Sequence, residues 1–105
     1  MREAMQQNNT PGTAFIIGHI KVKDPEKWAE YCRRVPGTVA PWGGEVIVRG
    51  TRTGVLDGRH DYTDTVLIRF PDAQSITGWH ESPAYQELIK VRELAADVVV
   101  ISYQG

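Results

Sequence analysis

Cysteine occurs once, at Cys32, which excludes an internal disulfide and leaves no thiol pair for a metal. An excess of one charge is also missing. The chain mixes 12 basic and 13 acidic residues, for a net charge of −1. Without a basic stripe, nucleic acid is not an expected partner. Apolar runs extend only a few residues, far short of the roughly 20 that a membrane span needs, so no membrane partner is expected either. The opening segment MREAMQQNNTPG lacks the apolar stretch and cleavage pattern of a secretory signal, and reads as a flexible arm over residues 1–12. A cytoplasmic protein is the expectation, with residues 13–105 forming one domain.

What is present is a regular alternation of element types. Thr13 to Lys23 (TAFIIGHIKVK) is rich in β-branched residues and bounded by Pro11-Gly12 and Asp24-Pro25, which predicts a strand. Asp24 suits an N-cap and Pro25 the first helical position; Trp28, Tyr31, Cys32, Val35 and Val39 then follow as one helical stripe. Pro36 lies inside that stripe and predicts a kink or restart near Val35, with Gly43-Gly44 ending the helix. Glu45 to Arg49 predicts a second strand. A long connection, GTRTGVLDGRHDY, leads to a third strand over Thr65 to Phe70, and its Val55-Leu56 could extend the hairpin. Pro71-Asp72 starts a short helix through about Glu81, with Gly78 costing about 1 kcal/mol relative to alanine. Ser82-Pro83 caps and opens the next helix, and Asp97 to Tyr103 (DVVVISY) is the last strand.

The order βαββαβ, its second helix split at Ser82-Pro83, predicts an α+β domain of ferredoxin-like form: a four-stranded antiparallel sheet with the helices on one face. Alternation assigns Ala14, Ile16, Gly18, Ile20, Val22, Val46, Val48, Val66, Ile68 and Phe70 to the helix side. It assigns Phe15, Ile17, His19, Lys21, Glu45, Ile47, Arg49, Thr65, Leu67 and Arg69 to the other side. That second face is too apolar for water and too charged for a closed core, so a second copy of the same sheet is expected to cover it. Phe15, Ile17, Ile47 and Leu67 would each contribute roughly 1.5–3 kcal/mol there, against an association cost of about 4–15 kcal/mol.

The segments IIGHIKVKDPEKWAEYCRRVPGTVAPWGGEVIVRG, VLDG and VLIRFPDAQSITGWHESPAYQELIKVRELAADVVVI carry a family pattern. Its marks are Asp24-Pro25, Tyr31, Pro36, Gly43-Gly44, Arg49-Gly50, Phe70-Pro71, Ser82-Pro83, Tyr85 and Arg92. In this order and spacing the chain resembles the domain of unknown function 1330 family from Ala14 to about Ile101. The resemblance implies a ferredoxin-like fold pairing into a dimeric α/β barrel, and no established activity. Two positions depart from the family's habit: Thr51 replaces a second glycine after Arg-Gly, and Asp57-Gly58 replaces Glu-Gly. The wider barrel group includes cofactor-independent monooxygenases, small isomerase-like enzymes and haem proteins, a spread that does not choose among them.

Candidate chemistry gathers on a few residues. Arg92 falls seven residues after Tyr85, where the apolar stripe of its helix would continue. Either it makes an internal ion pair, with Asp57 as the partner, or snorkels, or it holds a ligand carboxylate or carbonyl. His19 and Arg49 share the mixed face. They either line the interface through hydrogen bonds or act as proton shuttle and oxyanion stabiliser. Tyr31, Trp79 and Tyr85 either fill the core or line a ligand slot. His19, His60 and His80 lack ligand spacing, and phosphate loops, nucleophile elbows and paired carboxylates are missing, so neither metal nor cofactor is expected. The leading reading is a homodimer binding a small organic molecule, carbonyl- or carboxylate-bearing, in an apolar pocket lined by His19, Arg49, Tyr31, Trp79, Tyr85 and Arg92 with Asp57 nearby. The alternatives are a cofactor-independent monooxygenase- or isomerase-like enzyme using His19 as proton shuttle, and a structural or regulatory dimer without a ligand.

Overall fold

A computed structural model of the protein describes residues 13–105; the arm read over residues 1–12 lies outside the described residues. Strand β1 spans Ala14–Val22, helix α1 Pro25–Val39, and a single 3-10 turn Ala40–Trp42 follows it. Then come β2 (Glu45–Thr51), β3 (Asp64–Phe70), α2 (Ala73–Glu81), α3 (Pro83–Ala95) and β4 (Ala96–Gln104). The strands form one antiparallel sheet in the order β2-β3-β1-β4. This is the ferredoxin-like α+β arrangement expected from the element order.

Local chemistry explains the boundaries. The Asp24 carboxylate accepts from the backbone N–H of Glu26 and of Lys27, at 3.1 and 3.2 Å, and so starts α1. Asp72 caps α2 through the N–H of Ser75, and the Ser82 hydroxyl caps α3 through the N–H of Tyr85. Of the kink or restart expected near Val35, the restart does not occur: α1 runs as one element to Val39 with Pro36 inside it. Proline removes one N–H bond there, but Val35 and Val39 on either side are both buried, and that packing offsets the loss. Gly43, in the left-handed region at φ 75°, then turns the chain into β2.

The core lies between the sheet and the helices. Ala14, Ile16, Ile68 and Phe70 from the strands meet Tyr31, Val35 and Val39 of α1, Ile76 and Trp79 of α2, and Tyr85 and Leu88 of α3. No helix among the described residues is long and apolar enough to cross a membrane. The described domain measures 44 × 35 × 16 Å, a slab one sheet and one helix layer thick. The opposite face of the sheet carries half-buried Phe15, Ile17 and Leu67 with exposed Val99, Ile101 and Tyr103.

Two expectations about the hairpin are corrected. Val55-Leu56 do not extend it, because β2 ends at Thr51 and β3 begins at Asp64, leaving an irregular loop between. And β2 carries a bulge between Val46 and Val48. Val46 opposes Ile68 on the helix side, but Val48 opposes Leu67 and Arg49 opposes Val66. One extra residue on one strand reverses the faces of everything after it. Val48 is therefore on the outer face, 51% exposed, and Arg49 is on the helix side.

Candidate functional site

The Ser82 cap and Pro83 place Tyr85 in the first turn of α3, fully buried against Trp79 with ring centroids 4.2 Å apart. Two helical turns later Arg92 emerges on the same side. Its Nη1 donates to the Tyr85 hydroxyl at 3.0 Å, and that hydroxyl shares a 2.7 Å hydrogen bond with the Tyr31 hydroxyl from α1. The guanidinium in the apolar stripe is thus satisfied by a phenol. The expected in-chain partner, Asp57, sits fully outside on the β2–β3 loop and forms no ion pair with Arg92. Residues 52–61 are all exposed, so the Asp57 carboxylate stands in solvent.

Burial, with the Tyr85 hydroxyl as second cause, pushes the Tyr31 phenol well above its ordinary value, and the nearby Arg92 charge only partly opposes this. The sign follows from the raised value. Below about pH 10, folded and unfolded chains both keep this proton and the contribution is intact. Above it the unfolded phenol ionises while the buried one does not, so stability falls as pH rises. Denaturant titrations of the wild type and Tyr31→Phe should show a steeper alkaline loss in the wild type; equal slopes would contradict the assignment.

Tyr31, Trp79 and Tyr85 are core residues. Among the described residues these three side chains and Arg49 line a cavity of about 20 Å³ between sheet and helices, enough for one water molecule. The Trp79 indole N–H donates to the Thr38 hydroxyl at 3.0 Å, which anchors the ring. Of the six residues expected to share one pocket, Arg49, Tyr31, Trp79 and Tyr85 line this cavity, whereas His19 and Arg92 each line a different concavity.

Arg49 and His19 are separated by the thickness of the sheet, because the bulge reversed Arg49. Its Nη1 donates to the Cys32 sulfur at 3.4 Å. Burial pushes the Cys32 thiol up, the Arg49 charge opposing it in part and Asp64 adding to it. His19 stays on the outer face. Its ring meets the edge of His60 at 5.0 Å and lies 6.3 Å from Tyr62, and its Nδ1 is buried with no hydrogen-bond partner. His60 and Tyr62 come from the returning limb of the β2–β3 loop. Arg52 Nη1 holds that limb by donating to the His60 carbonyl at 2.7 Å, and the Arg52 and Thr63 backbones close the neck.

Two concavities flank Tyr62. One, of about 300 Å³, is lined by His19, His60, Tyr62 and the loop neck. The other, of about 570 Å³, is lined by Lys21, Asp61, Tyr62, Arg92, Glu93, Ala96, Asp97 and Val98 at the end of the sheet where α3 runs into β4. The arrangement can therefore offer a guanidinium, an ammonium and a phenol in one cleft, next to an imidazole pair. Sequence reasoning weighed His60 only as a metal ligand, placed Lys21 on the mixed face without a role, and left Tyr62 out. The available signal was position: His60 and Tyr62 immediately precede β3, whose start pairs with the end of β1.

The family model described as Domain of unknown function (DUF1330) matches residues 13–105. No curated protein matches the chain. Among solved structures the chain is similar to a protein of unknown function from Rhodopseudomonas palustris, RPA0582, at TM-score 0.77 and 19% identity, covering 100% of this chain and 93% of that one. It is similar to a dimeric ferredoxin-like protein of unknown function from Jannaschia sp. CCS1 at TM-score 0.74 and 12% identity, covering 90% and 100%. A hydroxynitrile lyase from Passiflora edulis follows at TM-score 0.73 and 20% identity, covering 90% and 94%. At these identities the likeness is one of fold.

Proposed function

The chain belongs to the DUF1330 family, and we propose that it works as a homodimer binding a small organic carboxylate or carbonyl compound at Arg92. One observation carries this reading. Arg92 is half-buried in a cleft of about 570 Å³, with a neutral phenol as its hydrogen-bond acceptor and no carboxylate paired to it among the described residues. A guanidinium has five N–H donors in a planar fork, so most of its capacity is open to a planar acceptor. The cleft volume lies in the range of small-molecule sites, roughly 300–1,000 Å³. Asp61, Glu93 and Asp97 also line it, which favours a ligand whose remaining groups donate hydrogen bonds.

The dimer is supported by the uncovered outer face and by a structural neighbour described as dimeric. Apolar residues from all four strands, Val48 of β2 included, lie on that face, more than a solvated sheet retains.

Native mass spectrometry of the purified protein tests both parts. The expected spectrum is a dimer carrying a small acidic or carbonyl compound that is lost in Arg92→Met. Retention of the same adduct by that variant would remove Arg92 from the site, and a monomer at micromolar concentration would remove the dimer.

A second reading is favoured by His19: an imidazole nitrogen buried without a partner, beside a cavity that shares Tyr62 with the cleft. In that reading His19 moves a proton to or from the bound compound without a cofactor. His19→Ala would then abolish turnover and keep the adduct; unchanged turnover would rule the reading out.

A further inference from the structure

The β2–β3 loop is unlike the rest of the domain. Residues 52–61 are all exposed, Leu56 is 97% exposed, and Val55 beside it is also open. A side chain added at Gly54 or Gly58 would meet nothing within 4 Å, so the tip touches no other part of its own chain closely. Yet the neck is fastened: Arg52 N–H donates to Thr63 C=O at 2.7 Å, and the Arg52 side chain bonds the returning limb. The radius of gyration, 14.7 Å, exceeds the roughly 13 Å expected of a compact chain of about 100 residues. An apolar tip on a fastened neck is costly in water for a monomer, because leucine exposed in full forfeits its burial free energy.

From these features we infer that the tip of the loop, Val55 to Arg59, roofs the Arg92 cleft of a second copy of this chain. The inference rests on the reading of that cleft as the ligand site. Chemistry on the two sides matches. The cleft has only Ala96 and Val98 as apolar lining, whereas small-molecule sites are mostly apolar; Val55 and Leu56 of the partner would supply the missing wall. The tip carries one acid and one base, Asp57 and Arg59, and the cleft offers Lys21 to the first and Glu93 to the second. Reach is sufficient. Half the loop between Thr51 and Asp64, drawn out at about 3.3 Å per residue, spans about 20 Å, twice the roughly 10 Å between two packed sheets. The cleft also adjoins the outer face, since Asp97 lies in its wall and Val99 and Ile101 continue along β4. Each site would then be completed by its partner, with two equivalent sites per dimer.

The test is a pair of single-cysteine variants, Leu56→Cys and Glu93→Cys, each on a Cys32→Ser background. Cys32 lies outside the cleft; Glu93 stands in its lining and Leu56 in the proposed roof, so the disulfide reports their proximity across the dimer and not ligand binding. After the two proteins are mixed and subunits exchange, mild oxidation should give a covalent dimer that neither variant forms alone. A second readout uses Leu56→Ser, which should stay dimeric and lose the co-purified adduct. Absence of the mixed disulfide in a dimer that demonstrably exchanges subunits overturns the inference, as does a disulfide within one chain of the double variant. If the mixed disulfide forms but Arg92→Met keeps its adduct, the loop stands as an intersubunit arm and the ligand assignment falls. If Arg92→Met loses its adduct and no disulfide forms, the arm falls alone.

Discussion

Trp79→Ala is expected to destabilise the domain by about 3–5 kcal/mol. The indole is 1% exposed and packs against Tyr85 at 4.2 Å and Phe70 at 5.4 Å, and its N–H is bonded to Thr38. Truncation removes the ring's burial, leaves a void between α2, α3 and the sheet, and deprives the Thr38 hydroxyl oxygen of the N–H it accepts from. Small domains hold only about 5–15 kcal/mol in total, so the variant should unfold at a much lower denaturant midpoint. Tyr85 would lose the ring tilted against it, and the hydroxyl that receives Arg92 would be less well held. Trp42→Ala is the control: that ring is partly exposed at the end of the 3-10 turn and should cost less. A Trp79→Ala midpoint equal to that of Trp42→Ala would show that Trp79 does not anchor the core.

Gly44→Ala should be destabilising by about 1–3 kcal/mol, an overpacking effect. A Cβ at that position would lie 2.8 Å from Val39 Cβ, 2.9 Å from Phe70 Cε2 and 3.1 Å from the Val39 carbonyl oxygen. Val39 and Phe70 are both almost wholly buried, so neither can step aside. The Gly44 N–H also bonds the Val39 carbonyl at 2.9 Å, which ties the chain to that spot. Gly37→Ala should do the reverse. It lies within α1 with nothing within 4 Å of an added Cβ, and alanine gains up to about 1 kcal/mol of helix propensity. Thermal unfolding of the two variants should bracket the wild type, Gly44→Ala below and Gly37→Ala above. A Gly44→Ala midpoint at or above that of the wild type would mean that the close approach at Gly44 is wrong. Gly78 belongs with Gly44: it looks like a weak point in α2, but the Trp42 ring lies against it, and a larger residue would displace that ring.

The fold was legible because its signals are local. Asp24 and Ser82 cap the helices they precede, the alternation of β1 separates His19 from Ile20, and the Ser82-Pro83 break divides α2 from α3. Each depends on a few neighbouring residues and their backbone preferences. The buried placement of Tyr85 and Trp79 follows from the same periodicity.

The site was not legible in the same way. Val46-Ile47-Val48-Arg49 alternates so that either face could be the buried one, and only pairing with β3 shows that the strand bulges and sends Arg49 to the helix side. His60 and Tyr62 reach His19 because the loop neck is tied by Arg52 to carbonyls eight and ten residues away, a fold-back that no short pattern encodes. Tyr31 and Tyr85 are 54 positions apart, and the relay from Arg92 to the Tyr85 hydroxyl and on to Tyr31 exists because α1 and α3 pack side by side.

The sequence by itself determined the elements, their order and the apolar side of each helix, since these depend on interactions a few residues long. Only the tertiary structure decided which polar side chains meet, because that depends on register across strands and on helix packing, where a one-residue slip exchanges one face for the other.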